Sequence, residues 1–255
     1  MRREERLEKI KSILIKQGNA STTYLSKTIN VSEATIRRDL TYICSHDSHI
    51  RKVHGGVVMD SDNKKLEYMF ELKLKLNLNK KHAIAKKLIE IINDNDTLIM
   101  DSGTTCYYAA MELHRRDGLT VICTDIKIAE ELGRYENIET IIGGGIVRPG
   151  YYTLGDNLMI DNLNQFNVKK GILAADAIDI KKGITNSSTF EVGVKRKLIE
   201  ISDIHILLAD SSKFGNSCLY KVADLAEIDT IITDKDIDKN IAEQIKKNGI
   251  NLLIA

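Results

Sequence analysis

The sequence has no tryptophan, a single proline (Pro149) and few aromatic residues, which make up 5% of its 255 residues. Such a composition excludes proline-rich linkers and recognition segments, and no internal repeat stands out. No apolar run approaches the roughly 20 residues that a membrane-spanning helix needs. The charged N-terminus is not followed by the apolar core of a signal peptide. We therefore expect a cytoplasmic protein with no membrane contact.

Cysteine is also scarce, with four residues and no C-x-x-C pair among them. They are Cys44, Cys106, Cys123 and Cys218, and no histidine stands beside them at zinc-ligand spacing. Scattered cysteines in a chain of this size indicate free thiols in a reducing compartment. We therefore expect no disulfide, no metal site and no other cofactor.

Charge is unevenly distributed along the chain. Residues 1–59 contain eleven Lys or Arg and six Asp or Glu, a net charge of +5, whereas the remainder contains 26 basic and 30 acidic residues, a net charge of −4. A basic end on a mildly acidic body is typical of a nucleic-acid-binding domain, although a solvated helical face gives the same count. The length allows two domains with buried cores.

Apolar residues recur at helical spacing near the N-terminus. Leu7, Ile10 and Leu14 predict a first helix over about 2–17, which Gly18 ends. Ser21 can cap a second, short helix. Ser32 stands at the N-cap of a third helix that runs to about residue 44. The apolar face of the third helix consists of Ile36, Leu40 and Ile43.

The other face of the third helix carries small, hydroxylic and basic side chains. At about 100° per residue, the residues that project from this face are Ala34, Thr35, Arg37, Arg38 and Thr41. A short helix, a tight turn and a helix of this kind form the plan of a recognition helix, which enters the major groove of DNA with its N-terminus first. Arginine can bind guanine or phosphate, and hydroxyls, including that of Ser32, can bind phosphate. Asp39 lies toward the inner edge, where we expect it to hold an arginine or a cap.

A hairpin is predicted after the third helix. Two β-prone stretches within residues 50–58 flank polar and glycine residues. They predict a wing that brings Lys52 and His54 near the phosphate backbone or the minor groove. By themselves, Gly55 and Gly56 favour a plain turn into a linker over a wing.

These residues resemble the DeoR family of bacterial regulators. The matching segments are Arg6-Leu7, Val31-Ser32-Glu33-Ala34-Thr35-Ile36-Arg37-Arg38-Asp39-Leu40 and Lys52-Val53-His54-Gly55-Gly56. The pattern S-x-x-T-[IV]-R-R-D-L followed by K-x-H-G-G is specific. The resemblance implies that residues 1–59 form a winged helix-turn-helix domain that binds double-stranded operator DNA.

The rest of the chain predicts an α/β domain. Residues 60–93 are predicted to be a polar linker and a connecting helix with a break near 77–79. In residues 94–255, buried strands alternate with helices, which indicates a largely parallel sheet. The strands are predicted at 97–101, 119–123, 138–142, 169–175, 205–209, 229–233 and 251–254. Ligands bind such sheets at the loops that follow the carboxyl ends of strands.

Two of these loops open helices. Asp101-Ser102-Gly103-Thr104-Thr105 follows the first strand, and its N–H groups and hydroxyls could hold a phosphate at the positive end of a helix. A plain capping turn fits this segment equally well. Thr124-Asp125, after the second strand, has the same two interpretations.

Other candidates lie further along the chain. The glycines that include Gly144 fit a strained turn or a ligand loop, and Arg148 fits an anion site or a surface ion pair. Glu191 and Lys195 have the i, i+4 spacing of a structural helix pair. Lys213 follows a buried strand, where it could meet a phosphate or lie in solvent.

These segments together resemble the DeoR-type sensor domain. The matches are Asp101-Ser102-Gly103-Thr104-Thr105, Gly143-Gly144, Arg148, Gly155, Gly183-Ile184-Thr185, Glu191, Val194-Lys195-Arg196, Asp210-Ser211-Ser212-Lys213-Phe214 and Ile232-Thr233-Asp234. The resemblance implies a fold similar to sugar-phosphate isomerases and CoA transferases, and a phosphorylated sugar or related metabolite as effector. It implies that the phosphate meets residues 102–105 and Lys213, with Arg148, Glu191 and Lys195 lining the rest of the pocket.

Two positions depart from the family pattern. The family usually has Thr-Asn where this chain has Thr124-Asp125, and often D-G-I where it has Asp176-Ala177-Ile178. A carboxylate at position 125 cannot donate hydrogen bonds as an amide does and would repel an anion. The identity of the effector therefore stays open.

The function expected from these features is that of a repressor of a sugar catabolism or transport operon. Effector binding would shift the population of states and lower operator affinity, and two half-sites would require a homodimer or homotetramer. One alternative is an isomerase-like enzyme with Glu191 as base and Lys195 or Lys213 stabilising charge. Another is an activator or a ligand-insensitive regulator.

Overall fold

The computed structural model describes residues 2–47, 50–59 and 64–255. The chain forms two compact units. The N-terminal unit comprises Met1–Leu76 with Pro149–Tyr151, and the C-terminal unit comprises Asn77–Arg148 with Tyr152–Ala255.

The N-terminal unit contains the three predicted helices and the predicted hairpin. Its elements are α1 (Arg3–Gln17), β1 (Asn19–Ser21), α2 (Thr22–Ile29), α3 (Glu33–His46), β2 (Ile50–Val53), β3 (Gly56–Met59) and α4 (Lys64–Lys75). Gly18 ends α1 in the left-handed region at φ 76°. The hydroxyls of Ser21 and Ser32 accept the N–H groups of Tyr24 and Thr35, which fixes the starts of α2 and α3 as the sequence predicts.

Apolar faces of the helices form the core of this unit. Its fully buried members include Ile10, Leu14, Leu25, Ile36, Leu40 and Ile43, all at predicted inward positions or on α2. The hairpin β2–β3 is also present as predicted, and β1 pairs with the other side of β3. A Cβ atom on Gly56 would lie 2.4 Å from the carbonyl oxygen of Ala20, so β1 can approach only a glycine there. The sequence did not predict β1, because three residues are too short for a periodic signal.

The C-terminal unit alternates strands and helices. Its elements are α5 (Leu78–Ile89), β4 (Thr97–Met100), α6 (Thr104–Glu112), β5 (Leu119–Cys123), α7 (Ile126–Leu132), β6 (Ile138–Ile142), β7 (Ile146–Val147), β8 (Leu154–Gly155), α8 (Asn157–Leu163), β9 (Val168–Ala174), β10 (Ala177–Asp179), β11 (Gly183–Asn186), α9 (Val192–Glu200), β12 (Ser202–Leu208), β13 (Tyr220–Ala223), β14 (Thr230–Thr233), α10 (Lys239–Lys247) and β15 (Asn251–Ile254).

Seven of these strands form one parallel sheet in the order β15-β14-β12-β9-β4-β5-β6. Every neighbouring pair is parallel, which confirms the predicted fold class. Two apolar clusters are built on the sheet, one containing Ile99, Leu173 and Leu207, the other Leu98, Ile172 and Ile206. These residues alternate along their strands, so both faces of the sheet are covered.

The predicted break between α4 and α5 is present, with Asn77 in the left-handed region at φ 53°. Ile84, Leu88 and Ile92, in and just after α5, are fully buried in one of the two sheet clusters. Helix α5 is thus part of the C-terminal unit. The functional assignment of residues 1–59, 60–93 and 94–255 stays a prediction.

Candidate DNA interface and effector site

Helix α3 presents the predicted polar face to solvent. Ser32, Ala34, Arg37, Arg38 and Thr41 are exposed, and Thr35 is half-buried. Ile36, Leu40 and Ile43 are buried on the opposite side. The helix therefore has one face fixed in the core and one face available to a ligand.

The two arginines of this face differ in their surroundings. Arg37 forms an ion pair with Glu33 at 3.1 Å, one helical turn away. Arg38 has no ion-pair or hydrogen-bond partner for its guanidinium among the described residues. Arg38 is therefore the arginine of α3 whose donors are all available to DNA.

The hairpin is tied to α3 by a hydrogen bond. Lys52 Nζ donates to Thr41 Oγ1 at 2.6 Å, and Thr41 Oγ1 donates to the carbonyl oxygen of Arg37 at 2.7 Å. His54 is exposed in the hairpin turn. These contacts place Lys52 beside the exposed face of α3, where the sequence analysis expected a wing residue.

Asp39 is buried at the inner edge of α3. Its carboxylate accepts two hydrogen bonds from Arg6, at 2.5 Å and 3.1 Å. This confirms the expectation that Asp39 holds an arginine. It also explains why Arg6, 13% exposed, is not part of the basic surface.

In the C-terminal unit, the candidate effector residues follow the carboxyl ends of the parallel strands or lie on segments that pack there. At the centre is Asp101, directly after β4, whose carboxylate accepts the N–H groups of Ser102 and Ala174, each at 2.8 Å. Lys195 of α9 forms an ion pair with the same carboxylate and donates to the carbonyl oxygen of Ala174 at 2.9 Å. Both side chains are about 2–3% exposed.

The charge on Lys195 is maintained inside the protein by its neighbours. Burial opposes this charge, but Asp101 and Glu191 outweigh burial and hold the pKa of Lys195 above its ordinary value. An ammonium so deeply buried is costly unless it is paired. The Asp101–Lys195 pair is therefore a rigid charged element beneath the loop at 102–105.

The pairing of Glu191 differs from the i, i+4 helix pair expected from sequence. Glu191 Oε1 accepts from Arg148 at 2.6 Å, and Oε2 accepts from the amide of Asn186 at 3.0 Å. The side chain of Lys195 points into the core and pairs with Asp101. It therefore does not make the solvent-exposed contact with Glu191 that the i, i+4 spacing predicts. Arg148 is thus in an ion pair, one of the two interpretations left open, and both partners are only partly exposed.

The starts of α6 and α7, after neighbouring strands, are built differently. Gly103 precedes α6 with φ 127° and ψ 158°, and no side chain caps the helix. Asp125 precedes α7, and its Oδ1 accepts the N–H groups of Lys127 and Ile128 at 2.8 Å and 3.2 Å. The 102–105 loop thus leaves a helix N-terminus open, whereas Thr124-Asp125 is a capping turn.

Asp125 is 1% exposed. Burial raises its pKa to about 6, and the two backbone N–H groups and the Ser102 hydroxyl offset only part of this rise. Its second oxygen, Oδ2, is buried and has no hydrogen-bond partner in the part of the chain that the structure describes. A buried carboxylate oxygen without a donor is a costly arrangement in a folded protein.

Gly144 lies in the turn after β6, at φ 80°. A Cβ atom there would lie 2.9 Å from the amide nitrogen of Asn162, which itself donates to the carbonyl oxygen of Gly143 at 3.0 Å. This geometry accounts for Gly144 as a strained turn. Its predicted role at the effector site stays a prediction.

Lys213 ends a short 3₁₀ helix, Ser211–Lys213, after β12. The residue is half-buried, and its ammonium has no ion-pair partner among residues 2–47, 50–59 and 64–255. Asp210, at the start of this turn, accepts the N–H of Ser212 at 3.0 Å. Lys213 thus combines an available charge with a position at the carboxyl end of a strand.

Sequence reasoning missed three polar residues at this edge. Lys80 of α5 donates to Ser211 at 2.7 Å and pairs with Asp234 and Asp236 at 3.0 Å and 2.9 Å. Asn77 donates to Asp210 at 3.2 Å, and Asn186 holds Glu191. Acidic residues after β12 and β14 could have signalled a nearby cation, but no spacing along the chain identified Lys80.

The described residues contain neither a cluster of metal-ligating side chains nor a membrane-spanning helix. No group of three or more His, Cys, Asp or Glu is placed to hold a metal ion within those ranges. No helix there is long and apolar enough to cross a membrane.

Comparisons with known proteins agree with this architecture. Residues 6–63 match the model of the DeoR-like helix-turn-helix domain, and residues 76–235 match that of the DeoR C terminal sensor domain. A putative sgc region transcriptional regulator of Escherichia coli (strain K12) is 36% identical over 252 residues, which cover 99% of this chain and 96% of that protein. The HTH-type transcriptional repressor GlcR of Bacillus subtilis (strain 168) is 31% identical over 254 residues, with 100% and 97% coverage.

Among solved structures, ribose 5-phosphate isomerase A of Methanocaldococcus jannaschii matches 54% of this chain and 55% of its own, with a TM-score of 0.40 and 16% identity. The two sequence matches, in chain order, define a helix-turn-helix transcription regulator with a C-terminal sensor domain. The chain belongs to the DeoR family of transcriptional regulators.

Proposed function

We propose that the protein is a repressor of an operon for sugar catabolism or transport. It binds operator DNA as a homodimer or higher even oligomer, and a phosphorylated sugar releases it. The observation that carries the DNA-binding half of this proposal is the exposed face of α3, with the unpaired Arg38 beside Ser32, Ala34 and Thr35. Such a face offers both base and phosphate contacts.

The open start of α6 supports the choice of a phosphorylated effector. Unpaired N–H groups at a helix N-terminus favour an anion, and the hydroxyls of Thr104 and Thr105 add donors. Lys213, whose charge is available, follows a strand of the same sheet two places from β4. Asp101 and Lys195 neutralise each other beneath the loop, so the helix end keeps its positive potential.

The geometry favours binding over catalysis at this site. Glu191 is the candidate base for isomerase chemistry, and both of its oxygens are engaged, by Arg148 and by Asn186. A general base needs an oxygen within reach of the substrate proton. The relatives compared above also bear the names of transcriptional regulators and repressors.

A DNA-binding titration tests the whole proposal. The full-length protein is titrated with DNA from upstream of its own gene and of neighbouring genes, and the titration is repeated with a panel of sugar phosphates. We expect specific binding that weakens steeply with salt and that one phosphate reverses. Absence of specific binding at low salt contradicts the proposal, and turnover of a sugar phosphate by the pure protein would replace it with the isomerase alternative.

A pair of glycine variants tests the α6 site separately. Gly103→Ala places a side chain at φ 127°, a backbone conformation that only glycine adopts easily, and should weaken release by the phosphate at least about tenfold. Gly249→Ala is the matched control, because Gly249 also has a positive φ, 79°, and a Cβ atom there meets nothing within 4 Å. If the sugar phosphate released both variants from DNA equally well, the start of α6 would not be part of the effector site.

A further inference from the structure

The two oxygens of Asp125 have different environments. Oδ1 accepts two backbone N–H groups and so caps α7. Oδ2 is buried and forms no hydrogen bond of normal geometry within the described part of the chain, although the Ser102 hydroxyl is near enough to lower the pKa of the carboxylate. Capping therefore accounts for one oxygen of this carboxylate and leaves the other unexplained.

Two ion pairs balance four of the charges in the site, and Asp125 belongs to neither pair. Asp101 pairs with Lys195, and Glu191 pairs with Arg148. No Lys, Arg or His of the described ranges lies within ion-pair distance of Asp125. An unpaired buried carboxylate loses its hydration without compensation, so a donor that enters the site would gain a strong, charge-assisted hydrogen bond.

Asn186 adds a second acceptor of the same kind. Its amide nitrogen donates to Glu191, so its Oδ1 is the remaining polar atom, and that oxygen is buried and without a partner in residues 2–47, 50–59 and 64–255. The phosphate group of a sugar phosphate is largely dianionic at neutral pH and presents mainly acceptor oxygens, so it is a poor partner for either of these atoms. The hydroxyl or amino groups of a sugar can satisfy both.

We propose that Asp125 is a specificity-determining residue of the effector site, where its Oδ2 accepts a hydrogen bond from a hydroxyl or amino group of the sugar. The proposal rests on the function proposed above and identifies a residue that binds the sugar end of the same ligand. The phosphate binds at the start of α6, and the sugar extends toward the end of β5. Asp125 thus discriminates between effectors by the donor that they present.

The sheet places the two ends at a suitable separation. β4 and β5 are neighbours about 4.8 Å apart, so the loops that follow them start side by side. The Ser102 hydroxyl is close enough to Asp125 to lower its pKa, which puts the carboxylate beside the 102–105 loop. A ligand anchored by its phosphate at α6 therefore brings its sugar hydroxyls to Asp125.

The test is a double-mutant cycle between protein and ligand. Isothermal titration first finds which member of a sugar-phosphate panel, including glucose 6-phosphate and glucosamine 6-phosphate, binds the full-length protein most tightly. Its deoxy analogues, one for each hydroxyl or amino position, are then titrated into the wild type and Asp125→Asn. Asparagine retains an oxygen to cap α7 but presents a donor in place of Oδ2.

We expect one deoxy analogue to bind the wild type at least about tenfold more weakly than the parent sugar phosphate. For Asp125→Asn, removal of the same group from the ligand should weaken binding by less than about twofold. Asp238→Asn is the matched control, because the exposed Asp238 caps α10 with the same two kinds of backbone bond, at 2.9 Å and 3.1 Å. It should behave as the wild type does.

An amino group at the sensitive position distinguishes the two donor classes. If the natural donor is an amine, replacing it by a hydroxyl should weaken binding to the wild type and leave binding to Asp125→Asn unchanged. If the natural donor is a hydroxyl, replacing it by an amine should strengthen binding to the wild type and leave binding to Asp125→Asn unchanged. Asp125→Ser, which can still cap α7, repeats the cycle should the asparagine variant fold poorly.

The two proposals fail in different ways. If sugar phosphates bind but removal of each hydroxyl or amino group weakens binding equally in the wild type and in Asp125→Asn, the role of Asp125 is overturned and the proposed effector class is retained. Absence of binding by every member of the panel overturns both.

Discussion

The two units differ in where their functional charges lie. On α3 of the N-terminal unit, Arg38 is exposed and has no partner among the described residues, and Arg37 is 70% exposed. In the C-terminal unit, Lys195 and Asp101 are almost fully buried and paired with each other. Charges on the first surface are available to a large polyanion, whereas charges in the second site are fixed by the fold.

This difference separates stability from binding. A buried pair contributes to the fold, because removal of one partner leaves the other charged and desolvated. An exposed arginine contributes little to the fold, because water solvates it in the folded and unfolded states alike. Removal of a basic side chain should therefore lower stability in the C-terminal unit, and it should weaken DNA binding with little effect on stability in the N-terminal unit.

The largest expected effect is on stability, from Lys195→Met. Removal of the ammonium leaves Asp101 buried and uncompensated, which should lower the free energy of unfolding by about 3–5 kcal/mol. Urea denaturation of the purified protein measures this. The double variant Asp101→Asn/Lys195→Met should lose less than the sum of the two single variants, and strict additivity would contradict the pairing.

The next effect depends on pH and concerns Asp125. Its pKa in the folded protein is about 6, above the ordinary value of 3.8, so its stabilising contribution is complete at low pH and is lost as pH rises through 6. Asp125→Asn removes this titration. Its stability relative to the wild type should therefore rise by about 2 kcal/mol between pH 4 and pH 8.

Denaturation curves across this pH range measure the effect, with Asp238→Asn as the control for the change of cap. A pH-independent difference between wild type and Asp125→Asn would show that the Asp125 carboxylate is not destabilised by burial in the native state.

Much of the fold was predictable because it depends on local patterns. The seven strands of the parallel sheet and the buried faces of α1 and α3 follow from apolar periodicity. The short antiparallel pairs β7–β8 and β10–β11 could not be predicted in this way, because segments of two to four residues are too short to show a period. Caps at Ser21 and Ser32 were predictable because a cap involves only neighbouring residues.

The site was predictable in its loops and less so in its pairings. The ends of strands mark where ligands bind, but the ion pair of Lys195 with a residue 94 positions away depends on how α9 packs on the sheet. Asp125 was identified as unusual from sequence, yet its division into a capping oxygen and an unpartnered oxygen required three-dimensional geometry.

A third prediction tests the exposed side of the comparison. Arg38→Ala should weaken operator binding by about 1–3 kcal/mol and lower the salt dependence of binding, because it removes a base or phosphate contact. Its unfolding free energy should change by less than about 0.5 kcal/mol. Fluorescence anisotropy at several salt concentrations measures binding.

Arg115→Ala is the control for that experiment, because it removes an exposed arginine from the C-terminal unit. If Arg115→Ala weakened operator binding as much as Arg38→Ala, overall charge would explain the result and α3 would not be the recognition helix.

The smallest expected effect concerns Glu33, which pairs with Arg37 on the same helix face. Glu33→Gln removes a negative charge from the proposed DNA interface and leaves the Arg37 guanidinium available to phosphate. An exposed i, i+4 pair contributes about 0.3–0.5 kcal/mol, so stability should fall only slightly and affinity for non-specific DNA should rise about twofold. Weaker binding by Glu33→Gln would instead mean that Glu33 orients Arg37, and that the fold fixes charges on this surface as it does in the C-terminal site.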